Sequence, residues 1–214
     1  MAIVIQVPLV AGFSNRSGKA HIVRVSDREI RAHNGRVGEL CVQIARQLGM
    51  TASEQRVLAR SGLLHDIGKL ALPGSILHKH DPLDDSEWKL MKTHPEVGLK
   101  ILQWAGHFER ALLAVLHHHE RMDGSGYPHG LVGDAIPIEA RVVAVADMYD
   151  VLTSDRPYQR ARSEQEARRL LKEEAGPHLD PVIVSALIAS LDAQRPRAPR
   201  ASTSPYFGGR RRLR

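Results

Sequence analysis

Residues 141 to 152 read RVVAVADMYDVL, and this stretch decides the fold class. Its first half, RVVAVA, would suit a buried strand, because a short apolar run has no periodicity that separates a strand from a buried helix. The run continues to Leu152, however, and is then longer than an ordinary buried strand. Its length therefore predicts a central buried helix rather than the middle strand of a sheet.

Helical spacing continues on both sides of this stretch. Val37, Cys41 and Ile44 recur at helical intervals, which predicts a helix with Cys41 packed in the core. Thr51 and Glu54 have the spacing of a capping box, which predicts the start of a second helix. The predicted helices cover about 27–48, 51–65, 85–92, 95–104, 109–119, 141–152, 163–174 and 181–191, with a loop rich in Gly and Asp at 120–136. We therefore predict an all-α fold without an internal repeat.

The composition is that of an ordinary globular domain, with 43% hydrophobic residues among 214. No apolar run reaches the roughly 20 residues that span a bilayer, so no integral membrane segment is predicted. Residues 1–27 start with an apolar stretch that lacks a basic region and a cleavage site, so they are interpreted as an N-terminal arm. The single Cys41 excludes an intrachain disulfide and leaves the cytoplasm as the expected location.

The basic charge of the chain is concentrated at its C-terminal end. Residues 193–214 hold seven arginines and no acid, and removing those charges from the net +6 leaves about −1 for residues 1–192. Their Pro, Gly, Ser and Arg content predicts a disordered tail. The tail could be a solvating extension or an electrostatic contact for nucleic acid, an acidic partner or a membrane. With 4% aromatics, nucleic acid is not expected to bind elsewhere on the chain.

The twelve histidines are unusually many, and several have acids beside them. Glu29 and His33 are four residues apart, so both project from one helix face. A lone histidine on a helix is more often a structural residue than a metal ligand. Asp147 and Asp150, however, add two more carboxylates to the pattern of histidines and acids. Both are expected on the buried helix, where an ionised carboxylate is costly unless it binds a cation or a donor.

The donor types limit the kind of metal site that these residues could form. Imidazole and carboxylate together suit iron, manganese, zinc or nickel, whereas a structural zinc site of the cysteine type is excluded. More than four nitrogen and oxygen ligands suggest more than one ion. Paired ions about 3.5 to 4 Å apart suit the hydrolysis of phosphoesters.

Several longer motifs match a known family in order and spacing. They are HNGRV (33–37), HDIGK (65–69), LPGSIL (72–77), MKTHPEVG (91–98), HHERMDGSGYP (118–128), ADMYDVLTSDRPY (146–158) and HLDP (178–181). Over about residues 28–190 the chain resembles the HD-GYP domain, a subgroup of the HD-superfamily phosphohydrolases. The resemblance implies a single HD-type bundle of about seven helices with a Gly-rich GYP loop. This domain is expected at 28–192, between the arm and the tail.

The resemblance also implies a set of metal ligands. They are Glu29, His33, His65, Asp66, His94, His118, His119 and Asp147. Asp66 is expected to bridge two ions, and Glu29 fills the place that marks trinuclear members. Two or three divalent ions are therefore implied, with iron or manganese ahead of nickel or zinc. Of the seven histidines outside this set, His80 is interpreted as a loop residue that could alter the cap over the site. The others are interpreted as structural: His21, His78, His107, His117, His129 and His178.

The substrate that the resemblance implies is cyclic di-GMP, a bacterial second messenger. Hydrolysis would give linear pGpG, with GMP left open as a further product. Asp66 and Lys69 are the expected catalytic residues, because Lys69 follows the HD pair and can hold a phosphate oxygen. Substrate binding is expected of Lys69, Tyr127, Arg156 and Arg160, the last because Gln159 stands where the family has a basic residue. Asp150 is predicted to orient a ligand histidine.

Other functions stay open at this point. The chain could be a catalytically silent receptor for cyclic di-GMP, or a module that contacts a GGDEF-domain protein or another regulator through the GYP loop at 124–128. It could also be an HD hydrolase of another cyclic dinucleotide. The complete ligand set favours an enzyme, and the GYP stretch argues against a different nucleotide. Because the chain begins almost at the domain, regulation is expected from a partner, the arm, the tail or a region beyond this chain.

Overall fold

The computed structural model describes residues 28–79, 81–106, 109–155 and 160–194, without the side chains of 28–30 and 109. The described part of the chain contains helices and loops but no β-sheet, and it has only two isolated β-bridges. The α helices are α1 (Arg28–Gln47), α2 (Ala52–Leu64), α3 (Gly74–Leu77), α4 (Asp85–Met91), α5 (His94–Ala105), α6 (Glu109–His117), α7 (Ile138–Thr153), α8 (Glu164–Glu174) and α9 (Pro181–Gln194). Two 3₁₀ segments cover Ile67–Ala71 and Gly133–Ala135. The all-α prediction is confirmed.

The stretch that decided the fold class forms most of α7, as predicted. Val142, Val143 and Val145 are fully buried, because α7 lies between α1, α2, α6, α8 and α9. A helix covered on most of its sides needs apolar residues all round. Its burial explains why the stretch 142–146 of α7 is apolar all round and resembles a strand.

Helix ends follow the capping signals in the sequence. At the start of α2 the Glu54 amide donates to Thr51 Oγ1 at 3.3 Å, and the Thr51 amide donates to Glu54 Oε2 at 2.8 Å. Gly106 ends α5 with a φ of 72°, in the left-handed region that favours glycine. The sequence did not predict α3 or the 3₁₀ segment Ile67–Ala71, because neither is long enough to show a helical period.

The main core lies where α1 packs against α2, α7 and α9. Val37, Cys41 and Ile44 of α1 are completely buried, and Leu187 of α9 is buried with them in the same cluster. Cys41 is therefore a core residue, as predicted. This packing brings α1, the end of α2 and α7 together, so polar residues at their ends can converge on one place.

Several sequence predictions fall outside the described residues. The N-terminal arm at 1–27, Arg156 and residues 195–214 of the tail lie outside them, as does the side chain of Glu29. The arm, the tail and the domain limits therefore stay predictions. Among the helices of the described ranges, none is long and apolar enough to cross a bilayer.

Candidate metal centre

Seven of the eight predicted ligands meet at one place in the fold. Asp66, His94, His118 and His119 offer one ligand atom each within 4.8 Å of one another, and His33, His65 and Asp66 do the same. Asp147 joins the second group through its Oδ1, which lies 3.2 Å from His33 Nε2. They come from α1, α7, the ends of α2 and α6, and the start of α5. The structure therefore gathers residues that are far apart in the sequence.

Asp66 lies between the two groups of histidines. Its Oδ1 is 3.4 Å from His94 Nε2 and 3.9 Å from His118 Nε2. Its Oδ2 is 3.3 Å from His65 Nε2 and 4.0 Å from His33 Nε2. Each carboxylate oxygen thus faces a different group. This arrangement would let one carboxylate serve two ions.

Backbone carbonyls orient three of the imidazole rings. The Nδ1 atoms of His65, His94 and His118 donate to the carbonyl oxygens of residues 62, 91 and 115 at 2.7, 2.8 and 2.9 Å. A neutral imidazole has one N–H, so these bonds leave each Nε2 as an acceptor that faces the centre. His94 Nε2 and His118 Nε2 are only 3.3 Å apart. Each of these two nitrogens carries a lone pair, and the two lone pairs repel each other unless a cation lies near both.

Two further buried atoms at the centre need a partner. His65 Nε2 and Asp66 Oδ1 have no hydrogen bond within the described part of the chain. Buried polar atoms are nearly always paired, because an unpaired one keeps the full cost of losing water. Divalent ions, one in each group of ligand atoms, would satisfy both atoms and would separate the facing lone pairs of His94 and His118. The residues therefore fit a metal centre.

The protonation states of His94, His119 and Asp66 also suit a metal centre. Burial lowers the pKa of His94 to about 4 and that of His119 to about 3, so both rings are neutral near pH 7. Burial alone would raise the pKa of Asp66, but Lys69 and His65 outweigh it and hold that pKa well below its ordinary value. Neutral imidazoles and ionised carboxylates are the forms that bind metals.

Asp150 contacts His33 on the side of the ring away from the centre. His33 Nδ1 donates to Asp150 Oδ2 at 2.7 Å. Arg36 donates to the same carboxylate through both Nε, at 2.5 Å, and Nη2, at 2.9 Å. Burial disfavours a charged His33, but hydrogen bonds to Asp147 and Asp150 outweigh it and raise its pKa to about 9. Sequence reasoning missed Arg36, although it lies three residues after His33.

The predicted substrate residues lie in different environments. Lys69 Nζ donates to Asp66 Oδ2 at 2.7 Å, so its charge lies at the centre. The Tyr127 ring stacks on His119, with ring centroids 4.7 Å apart. Arg160 is exposed in the segment between α7 and α8. Lys92, which sequence reasoning missed, has its Nζ 5.3 Å from the Tyr127 ring centroid and 5.9 Å from that of Trp88. Lys92 precedes the predicted ligand His94 by two residues, which is the signal that could have identified it.

The GYP loop folds back onto the end of α6. A Cβ on Gly126 would lie 2.4 Å from the backbone nitrogen of Arg121, so only glycine fits there. The Tyr127 amide donates to the His119 carbonyl at 3.2 Å, and the Tyr127–Pro128 peptide bond is cis. This path of the backbone places the Tyr127 ring against His119.

Comparison with known proteins places this fold and centre in a family. The sequence model described as HD domain matches residues 19–183. The chain belongs to the HD domain family. Its relatives include the cyclic di-GMP phosphodiesterase response regulator RpfG of Xanthomonas campestris pv. campestris, 41% identical over 171 residues that cover 79% of this chain and 45% of that protein. The 3'3'-cGAMP-specific phosphodiesterase 2 of Vibrio cholerae is 39% identical over 178 residues, which cover 81% of this chain and 34% of that protein.

A solved structure supports the same family assignment. Bd1817, an HDG"Y"P protein from Bdellovibrio bacteriovorus, superposes with a TM-score of 0.63 at 25% identity, covering 78% of this chain and 54% of that chain. The resemblance to the HD-GYP domain is thereby confirmed. This chain spans less than half the length of the two curated relatives.

Proposed function

We propose that this HD domain hydrolyses a phosphodiester bond of cyclic di-GMP with at least two divalent metal ions. The observation that carries the proposal is the buried Asp66, whose two oxygens face different groups of histidines. The names of relatives support the substrate, because RpfG is a cyclic di-GMP phosphodiesterase. We expect linear pGpG as the first product, with GMP as a second.

The proposed ligands divide into two groups that share Asp66. His33, His65 and Asp147 would bind one ion with it, and His94, His118 and His119 the other. Iron or manganese is the preferred metal, and nickel or zinc is compatible with the same donors. When bound, such ions neutralise phosphate charge and activate water for attack on phosphorus.

Residues around the ligands hold the centre and the phosphate in place. Arg36 and Asp150 hold the His33 ring so that its Nε2 points to the centre. Lys69 keeps a positive charge beside Asp66, where it can hold a phosphate oxygen. Asp66 and Lys69 are therefore the proposed catalytic residues.

The proposed substrate surface lies on the Tyr127 side of the centre. Tyr127 packs against His119, and Lys92 lies over the rings of both Tyr127 and Trp88. Trp88 is 47% exposed, so a guanine base could stack on it while Lys92 neutralises a phosphate. Arg156 and Arg160 are proposed to bind the second phosphate.

A second cyclic dinucleotide is a specific alternative for this HD domain. The cGAMP-specific relative is nearly as similar to the chain as RpfG, at 39% against 41% identity. The two substrates differ in one base, so the metal centre would treat their phosphates alike. A catalytically silent receptor is the non-enzymatic alternative.

Turnover of both dinucleotides by the metal-loaded protein distinguishes these functions. The expected result is pGpG from cyclic di-GMP, at a higher kcat/KM than for 3'3'-cGAMP, and none from an Asp66→Ala control. Faster cleavage of 3'3'-cGAMP would make that dinucleotide the substrate. Binding of cyclic di-GMP without cleavage, at full metal occupancy, would make the protein a receptor.

A third ion at Glu29 is part of the same proposal. Glu29 lies four residues before His33 in α1. Glu29→Ala should lower the metal content by about one ion per chain and slow the cleavage of pGpG more than that of cyclic di-GMP. Unchanged metal content with an unchanged product ratio would leave a binuclear centre.

The proposal extends to location and partners. The protein is proposed to act in the cytoplasm, where its one cysteine, the buried Cys41, would stay reduced. The GYP loop is the proposed contact for a GGDEF-domain or other regulatory protein, because it borders the Tyr127 side of the centre. Nucleic acid is proposed as a partner only through the basic tail.

A further inference from the structure

A second cluster of ligand-type side chains lies where the GYP loop meets the end of α6. His117, Glu120 and His129 offer one ligand atom each within 4.8 Å of one another. The ring centroids of His117 and His129 are 5.2 Å apart. None of the three residues belongs to the ligand set proposed for hydrolysis. The cluster therefore needs its own explanation.

The carboxylate of Glu120 is buried without a close cation. Its side chain has no exposed area, and its oxygens accept the amides of His129 at 2.8 Å and Leu131 at 3.0 Å. Within the described part of the chain, its one ion pair is with His117 Nδ1, at 3.7 Å. Backbone amides orient the carboxylate but carry no net charge, so a buried negative charge remains to be neutralised.

The Nδ1 atom of His117, which faces this carboxylate, lacks a hydrogen-bond partner within the described residues. The atom is buried, and its distance of 3.7 Å to Glu120 is too long for a hydrogen bond. His129, in contrast, is exposed and borders the cluster on its solvent side. An ion could enter from that side and take water as a further ligand.

We propose that His117, Glu120 and His129 bind one divalent cation, of which Zn²⁺ is the best match, outside the hydrolytic centre. Two imidazoles and one carboxylate form a donor set that zinc uses. With ligand bonds of about 2.0 to 2.2 Å, tetrahedral zinc holds its donor atoms roughly 3.5 Å apart, so a small rotation of the exposed His129 would bring its ring nitrogen into range. The ion neutralises Glu120 and pairs the free Nδ1 of His117.

The proposed ion links two parts of the chain that position Tyr127. His117 ends α6, whereas His129 directly follows the GYP loop and lies two residues after Tyr127. Glu120 already holds the loop through the amides of His129 and Leu131. A bound ion adds a ligand bond to that attachment, so it should reduce opening of the loop.

Zinc counts in an Asp66→Ala background test the site. This background weakens the hydrolytic centre, and His129→Gln then removes one exposed ligand of the proposed site. The matched control is His78→Gln, since His78 is also exposed but lies after α3. After zinc loading and removal of weakly bound metal, His129→Gln should bind about one ion fewer per chain than the Asp66→Ala parent. The control should bind as many as the parent. Equal counts in all three proteins would overturn the proposal.

Hydrogen exchange of residues 120–131 provides a second measurement with zinc alone as the probe. In the Asp66→Ala parent, zinc should slow exchange of these amides at least several-fold, and His129→Gln should abolish the slowing. Circular dichroism of each variant verifies the helical fold. Equal slowing in parent and His129→Gln would show that zinc acts elsewhere, and this result does not depend on whether the protein hydrolyses cyclic di-GMP.

Discussion

At the scale of single residues, the proposed metal centre depends on side chains whose orientation is fixed by hydrogen bonds on the side away from the centre. Asp150 is 2% exposed and takes two hydrogen bonds from Arg36 and one from His33. Such a buried carboxylate needs its cation, because removing one partner of a buried pair leaves a charge without compensation. Arg36 thus stabilises Asp150, which in turn orients His33.

Arg36→Ala should therefore weaken metal binding although Arg36 is not a proposed ligand. We expect a loss of about 10- to 100-fold in metal affinity, which is typical when a group that orients a ligand is removed. Metal titration with competing chelators measures this. Arg36→Lys should recover only part of the affinity, because lysine cannot form the two-pronged contact. The control is Arg31→Ala, an exposed residue of the same helix; an equal loss in both variants would contradict the role of Arg36.

Lys69→Ala should lower kcat more than it changes KM. Lys69 lies beside Asp66, where the proposed reaction would develop charge on the phosphate. Loss of one charge-assisted hydrogen bond of about 1.5 to 3 kcal/mol corresponds to roughly 10- to 100-fold in rate. Steady-state kinetics at saturating metal measures both constants, with the exposed Lys172→Ala on α8 as the control. An unchanged kcat would show that Lys69 does not act near the reacting phosphate.

At the scale of elements, the short 3₁₀ segment Ile67–Ala71 brings Asp66 next to His94. Gly68 lies so close to the first turn of α5 that an added Cβ would be 1.8 Å from the His94 carbonyl oxygen and 2.6 Å from the Gly98 nitrogen. Both neighbours are backbone atoms, which cannot rotate away. The glycine thus permits the contact that joins the two groups of ligands.

Gly68→Ala should separate these elements and damage both stability and metal binding. Forcing a methyl group into a closed contact costs about 1 to 3 kcal/mol or more in the free energy of unfolding. Metal affinity should fall as well, because Asp66 would move relative to His94. The control is Gly35→Ala in α1, where an added Cβ meets no atom within 4 Å. That variant should gain about 0.5 to 1 kcal/mol from helix propensity. Denaturant unfolding and metal titration of both variants test this, and a Gly68→Ala protein as stable as the parent would contradict it.

At the scale of the whole molecule, the net positive charge of the chain comes from residues beyond its last described helix. Helix α9 runs to Gln194 and so includes the first two residues of the expected tail, and Gln194 Nε2 donates to Gln43 Oε1 at 2.8 Å. The basic residues of the tail begin at Arg195. A deletion that tests the tail should therefore start after Gln194.

Deleting residues 195–214 should leave turnover, metal content and thermal stability unchanged. The deletion removes seven arginines, so binding to a polyanion such as heparin should weaken, most of all at low salt. Affinity measured over a salt series, beside melting curves, tests both parts of the prediction. A clear drop in the melting temperature would mean that the tail packs on the domain, contrary to the predicted disorder.

The sequence by itself determined the fold class, most helix ends and the family. The length of the 141–152 run, the capping box at Thr51 and the spacing around Cys41 are local signals, and each predicted what the structure has. The motif order also named seven residues that the fold gathers at one centre, together with Asp150. These signals suffice because helix periodicity and capping depend on residues only a few positions apart.

Only the tertiary structure decided which atoms meet. Arg36 reaches Asp150 across 114 residues, and Gly68 touches the backbone of His94. His117 and His129, interpreted as structural from the sequence, lie together with the buried Glu120. No local period relates such residues, because their distances depend on how whole helices pack and on how the loop after α6 folds back. The same packing brings the Nε2 atoms of His33, His65, His94 and His118 together around Asp66, which residue types alone cannot determine.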